Sequence, residues 1–309
     1  MRALRAIRGT AATVVEEDEP AGDGVLVDVT YSSVNYKDAL AITGRPGVIR
    51  AETLIAGIDL VGTPRGTRER VLVNGCGLGE THDGGLAEVA LVPEEWLVPV
   101  PSRMTDAQAA AIGTAGYTAA LCVLALSDVD GEILVTGATG GVGSIAIALL
   151  AATGREVAAV TGKADQHDYL RSLGATTIVD RSELEVPGRP LQSERWAGAV
   201  DTVGGPVLAN VLSQTRYGGV VTTCGIAGST DVTASMMPFI LRAVSLVGIN
   251  SVYTPRDRRL DAWQLLDREL DLALLDRLTT SIGLGDAVAA GDRMIAGETT
   301  GRIVVDVRA

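Results

Sequence analysis

The feature that most constrains the fold of this chain is a glycine-rich stretch, VTGATGGVGS, at residues 135–144. It follows the apolar run EILV and precedes IAIALLA, so it joins a predicted strand to a predicted helix. Its glycines Gly137, Gly140 and Gly143 are spaced three apart, which permits a tight turn and close approach of the backbone to a phosphate. A plain glycine-rich turn is the alternative. The next predicted strand, EVAAVTG, completes a βαβ unit and favours a dinucleotide site.

Strand and helix signals alternate through residues 104–279, which predicts a doubly wound parallel sheet of the Rossmann type, with helices on both faces. Residues 1–103 instead contain short alternating or β-branched runs, such as VLVDVTYSSV and ERVLVNG. These runs predict a mostly antiparallel, barrel-like region. A lone strand, GRIVVDV, follows the α/β block, and we expect it to return to the first region. The prediction is an α/β protein of two domains, 1–103 with 280–309 and 104–279.

Local signals predict where three helices begin or end. The stretch MTDAQAAAIGTAGYTAALCVLAL is rich in alanine and leucine and predicts one long helix, with Thr105 or Asp106 as its N-cap. Gly154 and Gly174 each follow a helical stretch, and we expect each of them to end it.

Composition and charge exclude several classes of function. The net charge of -12 over 309 residues disfavours binding to nucleic acid or to an anionic membrane. No apolar run reaches the ~18 residues that suggest a membrane span, and the N-terminus lacks the apolar core of a secretory signal. The three cysteines are scattered, which indicates reduced thiols rather than disulfides. We therefore expect a cytoplasmic protein with a small-molecule substrate.

The end of the second predicted strand indicates which nucleotide is bound. An NAD site carries Asp or Glu about 20 residues after the glycines, where it binds the ribose 2′-hydroxyl. This chain has Thr161, Gly162 and Lys163 at that place. A cation with a hydroxyl neighbour suits a 2′-phosphate, so we predict NADPH as the cofactor. Taken alone, an exposed lysine in a loop is usually only solvated.

The remaining cofactor contacts follow from where ligands bind to such sheets, outside the carboxyl ends of the strands. We predict the pyrophosphate over Gly140, Gly141 and Val142, because the helix begins there. The 2′-phosphate is expected at Thr161, Gly162 and Lys163. The other predicted cofactor-binding residues are Thr114, Thr118, Gly137, Thr139, Gly143, Val203, Gly225 and Asn250.

A polar segment in the first region is the candidate for the chemistry. Asn35, Tyr36 and Asp38 follow the strand VTYSSV and precede a short helical stretch, so they lie at a strand end. The alternative is a polar turn in which Asp38 caps the helix. Asp59 lies within an apolar run and is predicted to be buried and paired, with Arg302 as its candidate partner. A structural ion pair is the alternative to a catalytic role for these two residues.

The order of these regions resembles the medium-chain dehydrogenase/reductase superfamily. Seven stretches resemble, more narrowly, the acrylyl-CoA reductase (AcuI/YhdH) branch of its quinone oxidoreductase-like proteins: SSVNYKDALAITG, AGIDLVGT, GLGETHDGGLAE, VTGATGGVGS, YLRSLGA, DTVGG and GRIVVDV. The resemblance implies a GroES-like catalytic domain, a Rossmann NADP(H) domain and a homodimer. It also implies that Asn35, Asp38, Asp59 and Arg302 lie in or beside the active cleft. The chain departs from the pattern in a shortened segment, 64–69, and at Asp83, which could alter the substrate side.

The resemblance leaves the reaction open between related activities. Its first implication is NADPH-dependent reduction of the activated C=C bond of a short, acryloyl-type thioester. An NADPH:quinone reductase has the same fold, and a non-catalytic NADPH-binding protein is a further alternative. The arginines of TPRDRR, residues 254–259, could meet CoA phosphates or could simply be solvated.

Zinc-dependent members of the superfamily hold their metal with cysteine and histidine. A tetrahedral zinc site needs about four such ligands. This chain has three cysteines and two histidines, and only Cys76 and His82 lie close in sequence within one loop. His167 lies in a predicted helix of the nucleotide domain, where a solvated role is expected. We therefore predict no metal.

Overall fold

The computed structural model describes all 309 residues. Its strands, numbered in chain order, are β1 (Arg2–Ile7), β2 (Thr10–Glu16), β3 (Val25–Val34), β4 (Thr53–Ile55), β5 (Asp59–Pro64), β6 (Val71–Asn74), β7 (Val89–Val92), β8 (Val98–Pro99), β9 (Ile133–Val135), β10 (Val157–Thr161), β11 (Thr177–Asp180), β12 (Trp196–Asp201), β13 (Thr215–Thr223), β14 (Ser245–Gly248), β15 (Thr279–Gly283) and β16 (Arg302–Asp306). Its α-helices are α1 (Tyr36–Ile42), α2 (Asp106–Ala125), α3 (Gly141–Ala152), α4 (His167–Ser172), α5 (Ser182–Glu185), α6 (Gly205–Gln214), α7 (Met237–Arg242), α8 (Arg256–Glu269), α9 (Leu272–Arg277) and α10 (Ala287–Ile295).

The chain divides into two compact units. The first comprises Met1–Tyr117, Ser251–Arg256 and Leu272–Ala309, and the second comprises Thr118–Asn250 and Asp257–Asp271. The first unit therefore extends further along the chain than the predicted boundary after residue 103.

The first unit consists mainly of antiparallel strands. One sheet has the order β2-β1-β4, and another has the order β15-β16-β3-β5-β6-β8, with β7 also paired to β3. The pair β15 and β16 is parallel, and the other pairs are antiparallel. The C-terminal strand β16 lies between β15 and β3, where Ile303 is opposite Val34. The predicted return of the last strand to the first β region is confirmed.

The second unit contains a six-stranded parallel sheet of order β11-β10-β9-β12-β13-β14. From β9 the chain adds strands in one direction, and from β12 it adds them in the other. The strand order therefore reverses between β9 and β12, and open α/β sheets bind ligands outside the carboxyl ends of the strands at such a point. The predicted doubly wound sheet is confirmed. Helix α3 is buried from Gly143 to Leu150, as expected of an apolar helix packed on this sheet.

The local helix signals also agree with the structure. The Thr105 hydroxyl accepts a hydrogen bond from the Gln108 N–H at 3.1 Å, and the Thr105 N–H donates to Gln108 Oε1 at 3.0 Å. This reciprocal pair is a capping box, so Thr105 is the N-cap of α2. Gly154 and Gly174 follow α3 and α4 with φ of +79° and +106°. Both glycines end their helices in the left-handed region or beyond it, where a side chain is disfavoured.

The prediction of one uninterrupted helix over MTDAQAAAIGTAGYTAALCVLAL is wrong at a single residue. Within α2, Gly113 has φ 48° and ψ -158°, which is not helical. The same helix is long and apolar enough to cross a membrane by length and composition, and 78% of its most apolar window is buried within the protein. That burial accounts for its apolar composition.

Candidate active site

Four of the side chains predicted for the chemistry meet in the first unit. Asn35 lies between β3 and α1, and Asp38 is in the first turn of α1. Asp59 and Arg302 are the first residues of β5 and β16, the two strands that flank β3. These strands run antiparallel to β3, so their first residues reach the carboxyl end of β3. Sheet pairing therefore brings together residues that are far apart in sequence.

The carboxylate of Asp59 is the centre of this cluster. Its Oδ2 accepts hydrogen bonds from the Ser33 hydroxyl at 2.6 Å, Asn35 Nδ2 at 2.8 Å and the Thr114 N–H at 2.9 Å. Its Oδ1 accepts from Asn74 Nδ2 at 2.7 Å and the Thr114 hydroxyl at 2.6 Å. Asp59 is only 1% exposed. A buried charge is costly unless it is hydrogen-bonded, and here four donor residues on three segments of chain satisfy it.

Arg302 is not a direct partner of Asp59, which corrects the predicted ion pair. Its Nη1 donates to Asn35 Oδ1 at 3.1 Å, its Nη2 donates to the Ser33 hydroxyl at 3.2 Å, and its Nε donates to the carbonyl oxygen of Ala111. Ser33 and Asn35 therefore lie between the guanidinium and the carboxylate. Burial lowers the pKa of Arg302, and the nearby carboxylates oppose that shift. The cluster is a relay of hydrogen bonds rather than a simple ion pair.

Asp38 is buried beside this relay. Its Oδ2 accepts from the backbone N–H and the side-chain amide of Asn35, both at 2.9 Å, and its Oδ1 accepts from the Ile58 N–H at 2.8 Å. The N-cap of α1 is Asn35 rather than Asp38, because Asp38 lies in the first turn and bonds back to the cap. Burial and, to a smaller extent, the neighbouring Asp59 together raise the pKa of Asp38 to about 6.

Tyr36 differs from the other four predicted residues because it is 43% exposed. Its hydroxyl makes no hydrogen bond within the protein, whereas the polar atoms of Asn35, Asp38, Asp59 and Arg302 are engaged with one another or with backbone. The next residue, Lys37, forms an ion pair with Glu80. Tyr36 is therefore the member of the predicted set that is free to contact a ligand.

Gly113 explains how α2 reaches the cluster. A Cβ at this position would lie 2.6 Å from Asp59 Oδ2 and 2.8 Å from Arg302 Nη2. The left-handed conformation of Gly113 also turns the next N–H, that of Thr114, onto the Asp59 carboxylate. A side chain is thus excluded both by space and by backbone conformation. The nicotinamide contacts predicted for Thr114 and for the buried Thr118 stay predictions.

The second unit places the predicted cofactor residues at one edge of its sheet. Because all six strands are parallel, the segments after β9, β10, β12, β13 and β14 lie at the same edge. These segments contain the predicted residues Gly137, Thr139, Gly140, Gly141, Val142, Gly143, Thr161, Gly162, Lys163, Val203, Gly225 and Asn250.

The three spaced glycines have different surroundings. Gly137 has φ +57°, and a Cβ there would lie 2.1 Å from the Thr202 hydroxyl oxygen. A Cβ at Gly143 would lie 2.4 Å from the Gly137 carbonyl oxygen. Gly140 is exposed, and its Cβ would meet only that same oxygen, at 3.3 Å. The protein itself requires the first and third glycines, while the open side of Gly140 at the start of α3 fits a phosphate.

Asp201 lies at the same edge of the sheet as the predicted cofactor residues, and the sequence reasoning did not single it out. Its carboxylate is buried at the end of β12 and accepts from the Thr136 hydroxyl at 2.7 Å and the Gly204 N–H at 2.9 Å. The Thr223 hydroxyl donates to it at 3.4 Å. Burial raises the pKa of Asp201. This carboxylate links the ends of β9, β12 and β13, and the only signal in the sequence was an aspartate ending an apolar strand before VGG.

Two other sequence expectations concern the loop before β7. Asp83 Oδ1 accepts from the Ile55 N–H at 2.7 Å and pairs with Arg5 at 3.6 Å, so it joins strands β1 and β4. His82 packs edge-on against Trp96, with ring centroids 5.1 Å apart. No group of three or more His, Cys, Asp or Glu side chains is placed to hold a metal ion.

The raised pKa of Asp38 makes the stability of the protein depend on pH. The protonated form is favoured by folding, so its stabilising contribution is full below the ordinary pKa of 3.8 and is lost as pH rises through about 6. We expect the stability of the wild type relative to Asp38→Asn to fall by on the order of 3 kcal/mol across this window. Denaturant unfolding of both proteins from pH 4 to 8 measures that difference. A difference that does not change with pH would contradict the assignment.

The glycines should separate folding from ligand binding. Gly137→Ala forces a side chain into the left-handed region and against Thr202, so we expect a loss of about 2–4 kcal/mol in stability. Gly140→Ala should keep the stability of the wild type but weaken dinucleotide binding about tenfold, or about 1.4 kcal/mol. Thermal unfolding and a binding titration measure the two effects. Equal dinucleotide affinity in Gly140→Ala and wild type would show that the glycine-rich turn after β9 does not hold the phosphate.

Known proteins resemble this chain over its whole length. The sequence model of the zinc-binding dehydrogenase family matches residues 141–268. A protein of Escherichia coli (strain K12) named "Probable acrylyl-CoA reductase AcuI" is 48% identical over 96% of both chains. The acrylyl-CoA reductase AcuI of Ruegeria pomeroyi is 46% identical over 94% of this chain and 92% of its own. The crystal structure of the yhdH oxidoreductase from Salmonella enterica in complex with NADP has a TM-score of 0.95 at 47% identity and covers 99% of both chains.

These similarities extend through both units, including the β-rich first unit and the parallel sheet of the second. They agree with the antiparallel and doubly wound sheets described above. The chain belongs to the medium-chain dehydrogenase/reductase superfamily and, within it, to the acrylyl-CoA reductase branch.

Proposed function

We propose that this protein is an NADPH-dependent enoyl reductase that reduces the conjugated C=C bond of a short, acryloyl-type thioester. The observation that carries the proposal is the full-length similarity to an acrylyl-CoA reductase at 46% identity. Two structural features support it. The glycine-rich turn after β9 fits a dinucleotide phosphate, and the polar cluster at the end of β3 offers a hydrogen-bond donor. The solved relative with NADP supports the choice of cofactor.

The cofactor would be held by backbone groups at the start of α3 and by the segment after β10. Gly140, Gly141 and Val142 would receive the pyrophosphate, since α3 begins there and the first N–H groups of a helix have no partner within the helix. Lys163 would meet the 2′-phosphate, and Thr161 would shape the segment, because its hydroxyl already accepts the Lys163 N–H at 3.0 Å. When bound, NADPH supplies the hydride for the β-carbon of the substrate.

The residues of the first unit would then serve the charge that develops on the thioester. Hydride addition to the β-carbon places negative charge on the carbonyl oxygen until a proton from solvent reaches the α-carbon, and a positioned donor stabilises that charge. Tyr36 carries the exposed hydroxyl of the cluster and is our candidate for this donor. We assign positioning roles to four residues, because their hydrogen bonds fix the junction of β3 and α1, and Tyr36 is the first residue of α1: Asn35, Asp38, Asp59 and Arg302.

Initial rates of NADPH oxidation test the proposed reaction. We expect turnover of acryloyl-CoA, slower turnover of crotonyl-CoA and little turnover of 1,4-benzoquinone. Tyr36→Phe should lower kcat/KM for acryloyl-CoA by about 10–100-fold, since one donor to the developing charge is lost, without changing the melting temperature. Tyr217→Phe is the matched control, because Tyr217 is also exposed and lies on the second unit, and it should leave both properties unchanged.

The same assay separates the alternatives. Faster turnover of the quinone than of either thioester would favour a quinone reductase. NADPH binding without turnover of any activated alkene or quinone would favour a non-catalytic role. Full activity in Tyr36→Phe would leave the reaction in place but remove Tyr36 from it.

The arginines of residues 254–259 are poor candidates for CoA phosphates. Arg256 donates to the carbonyl oxygens of Glu95 and Leu97, both at 3.0 Å, and Arg259 is only 5% exposed. Arg258 differs from both, because it is exposed and does not make the backbone hydrogen bonds of Arg256. CoA as the acyl carrier therefore rests on the relatives rather than on this segment.

We further propose that the protein acts in the cytoplasm as a homodimer joined through β14. This strand ends the parallel sheet and has a neighbour on one side only, β13. Leu246 on β14 is exposed, and so are Met237, Ile240 and Leu241 of the preceding helix α7. An exposed edge strand beside apolar side chains favours pairing with a second copy across a twofold axis.

Light scattering tests the dimer. We expect the wild type to have twice the mass of the 31.9 kDa chain. Ile240→Lys should shift it to the monomer, because a charge would be buried in the interface. Val186→Lys is the matched control, since Val186 is 71% exposed against 73% for Ile240 and is remote from β14 in sequence. A monomeric wild type would refute the proposal.

A further inference from the structure

The guanidinium of Arg181 lies against the segment predicted to hold the 2′-phosphate. A Cβ built on Gly162 would be 3.1 Å from Arg181 Nε, 3.2 Å from its Cζ and 3.3 Å from its Nη2. The backbone N–H of Arg181 donates to the Thr161 carbonyl oxygen at 3.1 Å. Arg181 is far from Gly162 in sequence, and nothing in the order of the residues indicated that they meet.

Parallel strand pairing produces this contact. Strands β10 and β11 are neighbours, with Thr161 opposite Asp180 at their carboxyl ends. The residues that follow these two positions, Gly162 and Arg181, are therefore neighbours at the same edge of the sheet. Gly162 has no left-handed φ. A Cβ at Gly162 would therefore be in tight contact with the guanidinium, which is the exposed end of a flexible side chain.

Charges of both signs surround Arg181. Glu185, one helical turn along α5, pairs with its Nε at 2.6 Å, and the Arg181 side chain remains 58% exposed. Asp180 is next to it, but its carboxylate accepts the N–H of Ser182 at 2.8 Å, a bond that lowers its pKa. Lys163 follows Gly162 on the other strand. The edge therefore presents two cations, Arg181 and Lys163, and Arg181 is paired with Glu185.

We infer that Arg181 is, after Lys163, a second cation for the 2′-phosphate of NADPH, and that Glu185 competes with the phosphate for the Arg181 guanidinium. The inference rests on the proposed NADPH dependence. A guanidinium binds a phosphate through two N–H groups, whereas a lysine acts as a point charge, so the two together select a doubly charged phosphate. The Glu185 carboxylate is paired with the guanidinium beside Gly162. A bound phosphate would compete with that carboxylate for the N–H groups of Arg181.

Calorimetric titration with two nucleotides tests this without turnover. Adenosine 2′,5′-bisphosphate carries the 2′-phosphate, and 5′-AMP lacks it. We expect Arg181→Ala to weaken binding of the bisphosphate about tenfold or more, as for loss of a charge-assisted hydrogen bond, and to leave 5′-AMP binding unchanged. Glu185→Gln should tighten binding of the bisphosphate a few-fold and also leave 5′-AMP unchanged. Arg181→Met is a second variant that keeps the aliphatic stem.

The controls separate this inference from the cofactor assignment. Arg189→Ala removes an exposed positive charge from the same unit and should change neither nucleotide's affinity. Lys163→Ala should weaken binding of the bisphosphate but not of 5′-AMP. If Lys163→Ala does so while Arg181→Ala and Arg181→Met do not, Arg181 is only a surface partner of Glu185 and the inference fails. If the wild type binds both nucleotides equally, the NADPH assignment fails and the inference fails with it.

Discussion

Each unit of this protein is organised around a carboxylate that is buried at the end of a strand. Asp59 is at the start of β5, and Asp201 is at the end of β12. A buried charge is tolerated only when donors surround it, so each carboxylate requires several neighbouring segments to present N–H or O–H groups at one point. Asp59 collects donors from β3, β6 and α2, and Asp201 collects them from the ends of β9, β12 and β13. The positions of the loops at both candidate sites follow from this requirement.

The same requirement divides the polar residues of the first unit by role. Residues whose polar atoms satisfy one another cannot also bind a substrate without breaking those bonds. Asn35, Asp38, Asp59 and Arg302 are in this position, and their networks fix geometry. Tyr36 is the first residue of α1, and its exposed hydroxyl makes no hydrogen bond within the protein. A rigid support beneath one exposed donor is what stabilisation of a developing charge needs, because the donor is then oriented before the reaction.

Glycines mark where backbone and side chains must come close, and their reasons differ. Gly113 admits the carboxylate of Asp59, Gly137 admits the Thr202 hydroxyl, and Gly162 admits the guanidinium of Arg181. Only the first two also adopt a left-handed backbone. Gly140 is exposed and has a single neighbouring atom, the Gly137 carbonyl oxygen, near its Cβ position, which is the arrangement expected of a residue that a ligand approaches. A glycine pattern in the sequence therefore combines positions required by the protein with one left open for the cofactor.

The sequence by itself determined the fold class, the glycine-rich turn after β9, the helix ends and the return of the last strand. Those features depend on hydrophobic periodicity and on turn chemistry, which are local. It also indicated Asp59, because a carboxylate in an apolar run is conspicuous, and it indicated Asn35, Asp38 and Arg302 from their places at strand ends. Only the tertiary structure decided which side chains are in contact. Ser33 and Asn35 lie between Arg302 and Asp59, and Asp201 accepts hydrogen bonds from the ends of three strands. Arg181 lies beside Gly162. These contacts join residues that are distant in the chain, and strand order and register, which no local pattern specifies, bring them together.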